Sequence, residues 1–197
     1  MKVILISGKA QNGKDTIAAM LKKKLEEDRH PTLIVHYADL LKFICEKYFD
    51  WDGNKDEQGR RLLQYVGTDI VRKQNPSLWV DFVVLMLKYF GKHWDYVVIP
   101  DCRFPNEIDD MRLAGFSTVH LRVKRTGFKS PLTEEQQKHP SEIALDNIRP
   151  DYYIDNNSSL EILNKRVNSW VDCELYRIHA PKEYEQITFD ELLNSEV

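Results

Sequence analysis

The chain opens with an unbroken apolar run, Val3-Ile4-Leu5-Ile6, and this predicts a buried strand over residues 2–7. The pattern then changes to a helical period over residues 14–28, where Ile17, Leu21 and Leu25 recur every four positions until His30-Pro31 ends the helix. Leu33-Ile34-Val35-His36-Tyr37 predicts a second strand, followed by a helix through Leu40, Leu41 and Ile44 that stops near the acidic segment Asp50–Asp56. A helical insertion is expected over about residues 57–91. Its last part puts Leu78, Phe82, Met86 and Tyr89 on one face with Trp79, Val83 and Phe90 beside it, the pattern of a helix buried on much of its circumference.

Tyr96-Val97-Val98-Ile99 predicts a third strand, a helix runs on to Gly115, and a fourth strand over about residues 116–123 sets Val119, Leu121 and Val123 opposite His120 and Arg122. Residues 124–147 are polar with no strand pattern, either a lid or a long surface loop. Tyr152-Tyr153-Ile154 predicts a fifth strand, and Ser158 with Glu161 a capping box opening a helix through Leu160, Leu163, Val167 and Trp170. After Trp170 the periodicity weakens, so 171–197 reads as a C-terminal extension. Alternating strands and helices imply an α/β fold with a five-stranded parallel sheet between helical layers and right-handed crossovers, which places ligands at the C-terminal ends of the strands. Without a Gly/Ser/Pro-rich linker, the 197 residues read as one domain.

Chemistry enters at Gly8-Lys9-Ala10-Gln11-Asn12-Gly13-Lys14-Asp15-Thr16, set between the first strand and the first helix. The glycines let successive backbone N–H groups turn inward, the helix offers its positive end, and Lys14 adds a full charge for outer phosphates. Gly8, Ala10, Asn12, Gly13, Lys14, Asp15 and Thr16 are therefore candidate ATP-binding residues in a P-loop NTPase-like three-layer fold. Asp15 stands where Ser or Thr usually holds Mg²⁺, with Thr16 one place later. A net charge of −3 gives no reason to expect nucleic-acid binding, and no apolar run approaches a membrane span. Cys45, Cys102 and Cys173 lack paired metal-type spacing, so neither a disulfide framework nor a zinc site is expected, and a reducing cytoplasm is.

Asp101-Cys102-Arg103 follows the third strand, where Asp101 either holds metal through water and orients an acceptor, or pairs with Arg103 or caps a helix. Asp39 and Lys42 occupy a similar position after the second strand. Arg122, Lys124, Arg125 and Lys129 lead into the polar excursion, where lid closure would bring cations onto a transferring group, the alternative being an exposed basic strand end. In the insertion, Arg60, Arg61, Arg72, Tyr65 and Trp79 supply cations for an acceptor phosphate and rings for a base, or else surface charges and core rings. His139-Pro140-Ser141-Glu142 lies at the return of the excursion, with no nucleophile elbow beside it.

Taken together, Gly8–Thr16, Leu62-Leu63-Gln64-Tyr65-Val66-Gly67-Thr68-Asp69, Trp79, Ile99-Pro100-Asp101-Cys102-Arg103, His139-Pro140-Ser141-Glu142 and Asp151-Tyr152-Tyr153-Ile154-Asp155-Asn156 resemble bacteriophage-type deoxynucleoside monophosphate kinases over residues 1–168. The resemblance implies a core with a helical acceptor-binding part and a lid. It also implies transfer of the ATP γ-phosphate, with Mg²⁺, to a deoxynucleoside monophosphate in a bacterial or phage-infected cytoplasm, by a monomer or homodimer. On this reading Lys14, Asp101, Arg103, Arg122 and Arg125 are catalytic. Asp15, Thr16 and Asp101 serve the metal, while Asp39, Lys42, Arg61, Tyr65, Arg72, Trp79 and Arg103 bind the acceptor. A phosphomevalonate-kinase-like activity and a non-catalytic nucleotide-binding module are the rival readings.

Overall fold

Lys2–Ser7 (β1) runs through the middle of a single parallel sheet, between Tyr96–Ile99 (β3) and Ser117–Lys124 (β4), with Thr32–Ile34 (β2) and Tyr152–Asp155 (β5) at the edges. The order β2-β3-β1-β4-β5 is the expected five-stranded sheet with β3 beside the loop-bearing strand. A computed structural model describes residues 1–176, so most of the expected extension over 171–197 lies outside the described residues.

Each face of the sheet is covered by helices, which is why β1 needs an unbroken apolar run. On one face Lys14–Glu27 (α1) and Leu160–Tyr176 (α8) bury Ile17, Leu21, Leu25, Leu163, Val167 and Trp170 against Ile4, Ile6, Val98 and Leu121. On the other, Ala38–Tyr48 (α2), Leu78–Phe90 (α4) and Pro105–Leu113 (α5) pack on Val3, Leu5, Val97 and Ile99. Each such side chain contributes about 1.5–3 kcal/mol on burial, more than the span of helix propensities among ordinary residues, so the apolar stripes fix these helices.

Local departures from the expected elements have identifiable causes. β2 ends at Ile34 instead of continuing to Tyr37. Asp101, at the end of β3, accepts the Tyr37 and Ala38 N–H groups at 3.0 Å each, turning the chain out of the sheet and into α2. The insertion consists of Glu57–Gln64 (α3), a π-helical stretch Tyr65–Arg72, and α4. Within the π-helical stretch, a Cβ on Gly67 would lie 2.5 Å from Leu41 Cδ2, and the Gly67 carbonyl accepts the Trp79 indole N–H at 3.1 Å. The excursion over 124–147 contains two short helices, Glu134–Lys138 (α6) and Pro140–Ile143 (α7). The cap of α8 is Ser159 and not Ser158, since Ser159 Oγ accepts from the Ile162 N–H at 3.4 Å. That helix also continues past Trp170 to Tyr176, with Val171 in the core.

Candidate active site

The loop between β1 and α1 takes a conformation that its glycines permit. Gly8 and Gly13 have φ of +145° and +91°, and a Cβ on them would lie 2.7 Å from Val123 O and 2.5 Å from Asn156 Nδ2. Asn156 stitches the loop to the end of β5, donating from Nδ2 to Asn12 O at 2.9 Å. The buried Asn12 reaches the end of β4 by donating to Val123 O at 3.4 Å. Lys14 curls back over the loop and donates to Gly8 O at 2.8 Å and Lys9 O at 3.0 Å. Burial and the nearby Arg103 charge lower its pKa to about 8. No side chain caps the N-terminus of α1, and one loop amide, Ala10 N–H, already holds an anion, the Glu142 carboxylate at 3.2 Å.

Beside the loop lies a cavity of about 290 Å³, lined among others by Lys9, Asn12, Arg103, Arg122, Arg125 and Glu142. Arg103 pairs with Glu142 and donates to Ser141 O at 3.2 Å. Arg122 donates from Nε to Ser7 Oγ at 3.3 Å and from Nη2 to Leu145 O at 2.5 Å. Arg125 donates to Gln11 O at 3.3 Å and stacks 4.2 Å above the Phe128 ring. Opposite them Lys9 grips the return of the excursion, donating to Glu142 O at 2.6 Å and to both Asp146 oxygens at 2.6 and 2.8 Å. The fold thus brings together the loop and the three arginines expected from sequence. Glu142 and Asp146, more than 130 residues along the chain, carried no local signal for this contact.

A second group forms the rim on the far side of the loop. His36 Nε2 lies 3.1 Å from Asp15 Oδ1, and this hydrogen bond holds the Asp15 carboxyl below its ordinary pKa while raising that of His36. Asp39 accepts from His36 N and from Lys42 Nζ at 2.9 Å each. Asp101 uses both oxygens on the N-terminus of α2, the capping role, with lone pairs to spare. Among the described residues no three His, Cys, Asp or Glu side chains gather into a metal cage. Mg²⁺ commonly takes one or two carboxylates together with substrate phosphates and keeps several waters, and the exposed Asp15 carboxylate beside the uncapped helix end, with Thr16 next to it, fits that donor set.

Two of the acceptor residues expected in the insertion, Trp79 and Arg72, are corrected by the structure. Trp79 is 4% exposed with its N–H spent on Gly67 O, so it belongs to the core and offers no face to a base. Arg72 is committed to the scaffold: it pairs with the buried Glu107, donates to Asn106 Oδ1 at 3.2 Å and lies 3.9 Å above the Phe104 ring. Glu107 in turn accepts the Arg103 and Phe104 N–H groups, at 2.6 and 3.1 Å, which shapes the turn carrying Arg103. Burial pushes the Glu107 carboxyl up to about 7. Arg61 and Tyr65 are exposed, Arg61 facing Glu57 at 3.6 Å, and neither lines the cavity.

A phosphate loop on the central strand of a parallel sheet, with cations converging from the ends of its neighbours, defines the class of P-loop α/β proteins. Solved kinase structures share this fold at low sequence identity. An unliganded sugar kinase from Janibacter sp. HTCC2649 aligns with a TM-score of 0.51 at 12% identity, over 87% of this chain and 95% of that one. The Mycobacterium tuberculosis APS kinase aligns at 0.50 and 11%, over 88% and 97%. The family model described as deoxynucleotide monophosphate kinase matches residues 34–167, and the chain belongs to that family. The deoxynucleotide monophosphate kinase of Escherichia phage RB69 is 34% identical over 110 residues, and that of Enterobacteria phage T4 36% over 112. Those matches take in 55% and 56% of this chain but only 42% and 44% of the phage proteins. A protein of Acanthamoeba polyphaga mimivirus, provisionally given the same name, is 28% identical over 87% of this chain and 97% of its own length.

Proposed function

We propose that the chain transfers the γ-phosphoryl group of ATP to a deoxynucleoside monophosphate, giving the diphosphate and ADP. The observation that carries this reading is the gathering of Arg103, Arg122 and Arg125 in the cavity beside the loop over which Lys14 folds, in a member of this family. Phosphoryl transfer asks little covalent chemistry of the protein and much placement of positive charge, which is what this arrangement supplies.

The loop amides and Lys14 hold the triphosphate. Asp15 and Thr16 would hold Mg²⁺, which when bound would supply positive charge against that developing on the phosphate oxygens, and Asp101, which braces α2, would help to hold it through water. Arg103 binds the acceptor phosphate once that anion replaces Glu142 as its partner, and Arg122 with Arg125 faces the transferring group. Arg61, Tyr65, Asp39 and Lys42 stand on the insertion and rim, where the acceptor approaches. We place the reaction in a cytoplasm, where ATP is kept and three free thiols stay reduced. No helix among the described residues is long and apolar enough to cross a membrane.

A coupled assay of ADP release over a panel of nucleoside and deoxynucleoside monophosphates tests the proposal. The expected result is Mg²⁺-dependent turnover with at least one deoxynucleotide. Absence of turnover with every monophosphate refutes it.

A further inference from the structure

At the cavity floor Arg122 joins a polar cluster whose other two members, Ser7 and His120, the mechanism above leaves idle. Ser7 Oγ and His120 Nε2 are 2.7 Å apart, with their residues 1% and 2% exposed, and the Arg122 Nε–H donates to the same Ser7 oxygen. Strand register explains the meeting: Ser7 lies opposite Arg122, and His120 precedes Arg122 by two places on β4, so the three share one face of two paired strands. Serine beside histidine suggests a nucleophile and its base. Here, however, the hydroxyl is buried and its oxygen already holds a guanidinium, which leaves no room for an attack on substrate.

The protons can be placed. A buried hydroxyl needs an acceptor for its hydrogen, and His120 Nε2 is the acceptor in reach, which leaves the oxygen lone pairs to Arg122. This requires a neutral imidazole, and burial together with the Arg122 charge lowers the His120 pKa to about 4. The backbone of His120 is fixed as well, its N–H donating to Asp151 Oδ2 at 2.8 Å and its carbonyl accepting Asp151 N–H at 2.9 Å.

We propose that Ser7 and His120 are positioning residues for Arg122: His120 fixes the Ser7 hydroxyl, Ser7 holds Nε, Leu145 O holds Nη2, and the guanidinium plane is set against the cavity before nucleotide arrives. The inference rests on the kinase reading of this site. Donors held in place before reaction need no reorganisation when charge develops, so the cluster acts on kcat more than on binding.

The test uses the purified full chain, ATP and the monophosphate found active in the panel. Ser7→Ala and His120→Leu are expected to lower kcat about tenfold while the KM for ATP moves less than about twofold. His120→Gln, whose side-chain oxygen replaces the Nε2 acceptor, recovers most of the loss. In an Arg122→Ala background, Ser7→Ala costs less than about twofold, because the residue it positions is gone. An equal loss with and without Arg122, or a lower melting temperature with kcat unaltered, overturns the proposal. Should His120→Leu fail to fold, the Ser7 pair of variants decides. A parent protein inert with every monophosphate overturns the kinase reading and this inference with it, whereas an active parent with additive losses overturns this inference alone.

Discussion

Replacing Arg72 with Met keeps an unbranched stem beside Phe104 but takes the charge away from Glu107. The two side chains are 10% and 2% exposed, close to the fully buried limit, where losing one partner of an ion pair costs about 3–5 kcal/mol. Glu107 retains the Arg103 and Phe104 N–H groups, which argues for the lower end, about 3 kcal/mol at pH 8. The pH dependence has a definite sign. Burial holds the folded-state pKa of Glu107 at about 7, above its value of 4.5 in the unfolded chain, and Arg72 opposes that rise. Without Arg72 the pKa climbs further. The folded variant therefore binds this proton more tightly than the unfolded chain, and its stability is greatest at low pH and lost as pH rises through the folded pKa. The loss relative to the parent should shrink to about 1–2 kcal/mol at pH 6, where the carboxyl is neutral and mainly hydrogen bonds are missing. At about 2–4 °C per kcal/mol for a protein of this size, the melting temperature falls by about 6–12 °C at pH 8. Thermal and urea unfolding at the two pH values measures this. A loss below about 1 kcal/mol at pH 8, or one equal at both, refutes the argument that Arg72 is spent on holding the Glu107 turn.

Lys14→Ala should leave the fold intact, by circular dichroism, and lower kcat by about 10²–10³ or more, since it removes a donor used through the transition state. Because the free protein's Lys14 has a pKa of about 8, ATP binding near that pH should take up a proton as the phosphates favour the charged form; titration calorimetry in buffers of differing ionisation enthalpy reads this, and the uptake should vanish in Lys14→Arg. Asp15→Ala should shift the Mg²⁺ titration of activity to higher concentration, and an unshifted curve would assign Asp15 to pairing with His36 alone. Arg103→Lys should raise the acceptor KM by about tenfold with ATP affinity little changed, because an ammonium cannot reproduce two parallel N–H bonds to a phosphate; unchanged acceptor kinetics would remove Arg103 from the site.

The sheet and its covering helices were legible because their apolar period is local. Val3–Ile6, Val97–Ile99 and the Ile17, Leu21, Leu25 spacing each report their surroundings within one element. The loop was legible because glycine and lysine at those spacings have few other uses. What escaped the sequence depends on pairing between distant segments. Nothing near Glu142 indicates that it sits on Ala10 N–H, and nothing near His36 indicates Asp15. Trp79 misled because an aromatic on a largely apolar helix serves a core or a base equally well. The Gly67 carbonyl that occupies its N–H comes from a π-helical turn without a simple residue signature.

The stitching of the phosphate loop has a consequence for the order in which the chain is made. β1 leaves the ribosome well before its ladder partners, residues 96–99 and 117–122. The loop carbonyl at Asn12 waits longer still, for the amide of Asn156. A nascent chain halted short of β5 carries the complete loop sequence but lacks the clamp that sets its curvature. The loop therefore takes its final curvature only once β5 has emerged and paired at the edge of the sheet, although the loop's own residues are synthesised more than a hundred positions earlier.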